Sequence, residues 1–452
     1  MRVVVKVSGI FIALLVIIAA IPAFIPDEEY LPGVEQWLKD ANTHEDLPIE
    51  VNRFNALVGF SVAADKDMVV EGAKLVAEVN AVFDAVMNNS EVVGFNDYWD
   101  NPPLTAKGRL SSNTTTAFEG DPAQWLSDNH EDYLELVSGN PVLLDRFRKL
   151  MTMKQYSYTM KLDVNAPFVS YNNFLALKRL DNLSIIDEFS MGNKQSAIQR
   201  LQEGIAFSKL MMKQSVLLID KMIANALLKA DLLTYSSLLD LSPANAASEL
   251  KITNLQEDER GMLNVVRGEF AYMSPSLDFE SARRLDNGTA ETDMLEELVI
   301  KYYFKRNKME NNAYTNIWQP FLKLDELSLA SRESKVITGV GENGLTWWQI
   351  YQDPIGYIYS AIAVPSYGGY INKMDHVDAT ITLLNLKASI YSNNVTADNV
   401  ENTIFSANAT MNAGYAGAKF SWDKDSQELS FDIPDYTDED IPRIKLYFNR
   451  KS

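Results

Sequence analysis

The chain has 452 residues, 61 of them acidic against 41 Lys plus Arg, for a formal net charge of −20. The length suits two or three domains, and the charge is against a nucleic-acid partner, because phosphate affinity comes from clustered Lys and Arg. With no cysteine, disulfides, thiolate catalysis, iron–sulfur clusters and Cys-ligated zinc are excluded; the three histidines, His44, His130 and His376, lie far apart, so no cofactor and no metal are expected.

Residues 1–26 open with Arg2 and Lys6 and continue as an apolar run carrying Val7, Ile10, Phe11, Leu14, Leu15, Ile17 and Ile18. The run from Val7 to Ile25 approaches the roughly 20 residues that span a hydrocarbon core. Asp27, Glu28 and Glu29 follow at once. Cations before the run and none after it predict a transmembrane signal anchor, with the N-terminus cytoplasmic and the rest extracytoplasmic. A cleaved signal peptide competes, but Ile18, Ile21 and Pro22 spoil the small-residue spacing around Ala19, Ala20 and Ala23. No second run of about 18 apolar residues occurs, so a single-pass protein of the inner membrane is expected, its C-terminal part in the periplasm.

Residues 27–141 read as a mixed, irregular region with one strong helix at 65–89. That helix carries Val69, Ala73, Val76, Val79, Phe83 and Val86 at spacings of three and four, with Asp65 as its N-cap. The stretch TAKGRLSSNTTTAFEGDP is polar and rich in Ser and Thr, and reads as a surface loop.

Residues 142–392 read as a helical domain. Segments 172–190, 194–213 and 216–241 each repeat apolar side chains at helical spacing, with Gly192 ending the first and Asn193 capping the second. Short breaks between them imply antiparallel neighbours, in an ordinary bundle or in tetratricopeptide-like hairpins. Further helices are expected at 256–272, 291–305, 320–333 and 376–392. In the small α+β region at 393–452, Phe420 and Trp422 alternate, DKDSQ turns, and Leu429 and Phe431 answer. This predicts a β-hairpin, with IKLYF at 444–448 as a third strand. The fold class is therefore mainly α, with a small C-terminal sheet.

Two constellations are candidates for binding. TWWQIYQDPIGYIYSAIAVPSYGGY gathers Trp347, Trp348, Tyr351 and Tyr357, whose polar-tipped rings suit an interface or a sugar or peptide groove and serve equally as core packing. MDHVD sets His376 between Asp375 and Asp378, as a base or metal ligand would be, or as a helix N-terminus capped by Asp375. The glycines of GVGENG lack the Lys and Ser/Thr of a phosphate loop. Glu296, Glu297, Asp438 and Glu439 read as solvated surface rather than glycosidase carboxylates. No GxSxG, SxxK, HExxH or EF-hand pattern is present, and no catalytic residue is assigned.

The apolar leader, RFNALVGFSVAADKD, the helical middle and the closing AGYAGAKFSWDKDSQELSFDIP together resemble a group of membrane-anchored envelope proteins of proteobacteria, to which no activity is attached. The resemblance implies an envelope location. The expectation is a membrane-tethered interaction scaffold or accessory subunit with an envelope protein as partner. The alternatives are a carboxylate-based envelope hydrolase and a binding protein for a small ligand or saccharide.

Overall fold

The computed structural model describes residues 21–22, 24–43, 45–87, 104–163, 166–167, 169–171, 173–241, 251–274, 304–325, 351–353, 368–410, 418–432 and 442–448. The lead-in holds α1 (Pro32–Ala41), with Pro32 at its first turn. α2 (Arg53–Val58) and α3 (Met68–Met87) follow. The cap of α3 is Asp67, not Asp65: its Oδ1 accepts from the backbone N–H of Val69 (2.8 Å) and Val70 (3.2 Å). α2 and α3 pack backbone to backbone. A Cβ on Gly72 would fall on the carbonyl oxygen of Asn55, and one on Gly59 on that of Met68.

The polar stretch expected as a loop is largely helix. α4 (Leu110–Glu119), α5 (Pro122–Asp128), α6 (His130–Gly139) and α7 (Pro141–Thr152) run almost without interruption. In α4, Leu110, Thr114, Ala117 and Phe118 share the buried face, which packs on α8. The Thr114 hydroxyl donates to the Leu110 carbonyl at 2.7 Å, so a polar residue occupies an inward position without losing a hydrogen bond. Composition suggested a loop; the 3.6-residue period, hidden by Ser and Thr, decided the structure.

The centre is α8 (Phe174–Ser190), α9 (Lys194–Gln214) and α10 (Leu218–Leu241), each packed on the other two. Gly192, at φ 97°, ends α8, and the Asn193 N–H reaches back to the Glu188 carbonyl (3.1 Å). Asn193 stands at the start of α9 without a side-chain capping bond. α11 (Glu257–Arg260) and α12 (Leu263–Met273) come next, with α1 against α12. α13 (Arg306–Ala313) passes through a π-helical turn, Tyr314–Trp318, into α14 (Gln319–Asp325). α15 (Gly368–Ser392) lies along α10, and α16 (Val400–Thr410) leads into the sheet. α15 begins eight residues before the expected 376. Ile371, Met374 and Val377 carry the buried face upstream with no breaker between them.

The sheet is antiparallel in the order β1 (Lys419–Asp423), β2 (Glu428–Asp432), β3 (Ile444–Lys445). Its register pairs Phe420 with Phe431 and Trp422 with Leu429, as the alternation predicts. Asn408 of α16 bonds both backbone groups of Phe420, accepting from its N–H at 2.6 Å and donating to its carbonyl at 3.2 Å. The main apolar core extends from Phe54 through the three central helices to Leu446. A second cluster joins Val34 and Trp37 of α1 to Val265, Val266 and Phe270 of α12, and to Trp318 and Phe321.

Among the described residues no helix is long and apolar enough to cross a membrane, a finding against the expected transmembrane signal anchor. The long described helices α9, α10 and α15 are interrupted by charge: α10 alone carries Asp220, Lys221, Lys229, Asp231 and Asp240. Val7, Ile10, Phe11, Leu14, Leu15, Ile17 and Ile18, on which that expectation stood, lie outside the described residues.

Candidate functional site

Two helices and a strand enclose a cleft of about 490 Å³. One face of α10 supplies Lys229, Leu232, Leu233, Ser236, Ser237 and Asp240, spaced by three and four as a single helical stripe requires. α15 supplies His376, Thr380, Leu384 and Lys387 in the same rhythm. Pro442, Arg443, Ile444, Lys445 and Tyr447 close the third side, and the α4–α5 junction, Glu119 to Pro122, edges the opening.

The base of the cleft is a polar network centred on Lys387, whose side chain is 1% exposed. Its Nζ donates to Ser236 Oγ at 2.9 Å and to Asp240 Oδ2 at 2.8 Å. Tyr391 OH donates to Asp240 Oδ1 at 2.8 Å and accepts from the backbone N–H of Tyr447 at 2.9 Å. The ammonium also lies 5.6 Å and 5.9 Å from the ring centres of Tyr391 and Tyr447. A carboxylate, two aromatic faces and a hydroxyl thus surround this amino group. Ser236 accepts from the Lys387 Nζ. The same network ties β3 to the helices, with Ile444 and Leu446 buried beside it.

His376 is buried on the cleft wall, and its carbonyl accepts from the Thr380 hydroxyl at 2.7 Å. Its two neighbouring carboxylates have partners on other elements. Asp378 Oδ1 accepts from the Leu255 N–H at 2.7 Å and from the Asn254 side chain at 3.0 Å, and Asp375 lies 3.7 Å from Arg260. Successive helical residues point about 100° apart, so His376 points away from the face that Asp375 and Asp378, three residues apart, share. Asp375 is interior to α15 and cannot cap it. Among the described residues no three His, Cys, Asp or Glu side chains converge as a metal site.

Tyr351 is half-buried and does not line the cleft, whereas Trp347, Trp348 and Tyr357 lie outside the described residues. So do GVGENG and the acidic pairs Glu296, Glu297 and Asp438, Glu439. Of the cleft carboxylates, Asp240 is held by Lys387 and Tyr391, and Asp121 caps α5 by accepting from Ala123 N–H and Gln124 N–H. Asp220 and Asp231, two carboxyls that burial pushes upward, are not on the cleft wall. Sequence reasoning did not single out Ser236, Asp240, Lys387 and Tyr391. Their signal was polar residues recurring at helical spacing within otherwise apolar helices.

No family model, no curated protein and no solved structure matches the chain, so the chemistry of the site rests on its own geometry.

Proposed function

We propose that the chain is a helical binding protein that holds a small ligand in the cleft between α10, α15 and β3. The observation that carries this reading is the cleft itself, which combines apolar walls with a few fixed polar groups. Leu232, Leu233, Leu384 and Ile444 supply the walls, and Ser236, Lys387, Asp240, His376 and Tyr447 the polar contacts. Its volume lies within the range of about 300–1,000 Å³ usual for ligand sites. The network beneath it is already assembled, so little ordering would be needed on binding.

The test is ligand-observed NMR of the full chain against a library of carboxylates, phosphates and saccharides, repeated with Thr380→Trp, which places an indole in the cleft from a half-buried position. The expected result is a ligand class that binds the parent chain and is lost from the variant while its circular dichroism and Tm are retained. Ligands that bind both proteins equally would place the site elsewhere and overturn the reading.

A further inference from the structure

Four cations from three separate elements line this one cleft: Lys229 of α10, Lys387 of α15, and Arg443 and Lys445 at β3. Three carboxylates share the lining, yet acidic residues outnumber Lys plus Arg by 61 to 41 over the whole chain. The local balance is therefore the reverse of the global one. The carboxylates are also engaged. Asp240 answers Lys387 and Tyr391, Asp121 caps α5, and Glu119 acts on the guanidinium of Arg179. Like charges brought to one concavity by different elements repel, and low-dielectric walls such as Leu232, Leu384 and Ile444 strengthen that repulsion.

Resting on the binding reading above, we propose that the ligand is a small multivalent anion of the carboxylate or phosphate class, and that it fastens the C-terminal strand to the helical body. Lys229 on the helical side and Arg443 and Lys445 on the strand side clasp it. Ser236 and the Lys387 ammonium form the floor on which it sits. Because the cations come from different elements, neutralising them adds to the β2 pairing, the Tyr447–Tyr391 bond and the buried Ile444 and Leu446 side chains in holding β3 docked. Arg443 and Lys445 are both exposed, so the strand also carries a built-in reporter, since each is a site for trypsin.

The experiment titrates the full chain with citrate, pyrophosphate and, as a neutral control, glucose. Affinity is read by calorimetry at about 0.05 M and 0.5 M NaCl, and trypsin cleavage after Arg443 and Lys445 by mass spectrometry. Citrate, pyrophosphate or both are expected to bind at least tenfold tighter than glucose, weaken in high salt and slow cleavage at both sites severalfold. Lys229→Met combined with Arg443→Met should lose at least tenfold in affinity with Tm unchanged. The relative affinity of citrate and pyrophosphate then tells carboxylate from phosphate. Equal binding of all three probes, or undiminished anion binding by the double variant, would overturn the anion proposal. If glucose binds and Thr380→Trp abolishes it, the cleft remains a ligand site and only its charge preference falls. If Thr380→Trp displaces no probe, both readings fail together.

Discussion

Lys178 and Asp231 form an ion pair at 2.6 Å in the middle of the three-helix centre, and neither side chain is exposed to solvent. Ser208 donates to the second carboxylate oxygen at 3.1 Å, and a Cβ at Gly204 would collide with the lysine Nζ. The pair therefore joins α8 to α10 through a gap in α9 that only glycine leaves. Burial pushes the Asp231 carboxyl upward, against the pull of Lys178, Ser208 and Asn182. Lys178→Met strands a buried carboxylate and should cost about 3–5 kcal/mol, whereas Lys178→Met with Asp231→Leu should restore most of that loss. Urea denaturation midpoints of the two variants check this, and equal losses in both would contradict it.

A second buried acid gives stability a pH dependence. Asp220 accepts from Tyr171 OH at 2.6 Å, with Tyr156, Tyr158 and Arg53 in the same region. Burial raises its pKa to about 6, opposed by the Tyr171 bond and a backbone bond to Leu217. The folded state then holds the proton more tightly than the unfolded chain, so this group's contribution is full below about pH 4 and is lost as pH rises through 6. A displacement from 3.8 to about 6 corresponds to about 3 kcal/mol. Asp220→Asn keeps an acceptor for Tyr171 and removes the titration. The variant should be more stable than the parent at pH 7.5 and should not show that decline between pH 4 and 6. Guanidinium melts across that window are the measurement, and an unchanged slope would refute the assignment.

These two acids show what the sequence could and could not disclose. The central helices, the hairpin register and the third strand were legible because their apolar residues recur at unambiguous periods. α4 was not, because Ser and Thr can bond their own helix and so hide an inward face. Lys178, Asp220, Asp231 and Lys387 sit on stripes where spacing alone predicts burial, but whether a charged residue there turns inward depends on a partner from another helix. His376 was noticed for its flanking aspartates, which have partners on other elements; the other polar residues of its cleft, 236, 240 and 447, come from distant parts of the sequence.

The crossing of α2 and α3 gives a third expectation. Gly72→Ala sets a methyl group on the Asn55 carbonyl, which is backbone and cannot swing aside. The two helices must separate, at about 1–3 kcal/mol. Gly139→Ala is the control: its nearest neighbour would be 3.8 Å away, and alanine is the better helix former. A fall in Tm for the first and none for the second checks the close approach. Equal Tm values would show that the helices do not touch as described.

Tyr391 connects the cleft floor to the C-terminal strand through a single oxygen, which donates to Asp240 at 2.8 Å and accepts from the Tyr447 N–H at 2.9 Å. Tyr391→Phe keeps the ring against Lys387 and removes both bonds. The Asp240 carboxylate keeps Lys387, so the helical body should lose only about 1–3 kcal/mol. The strand loses its direct tie to α15, leaving the buried Ile444 and Leu446 side chains and the short β2 pairing to hold it. Amide exchange at residues 444–447 should therefore accelerate more than tenfold, while exchange in the centres of α8 and α9 changes only with global stability. Uniform acceleration across both regions would mean that the strand and the helices open as one unit, and that the tyrosine oxygen is not the tie described.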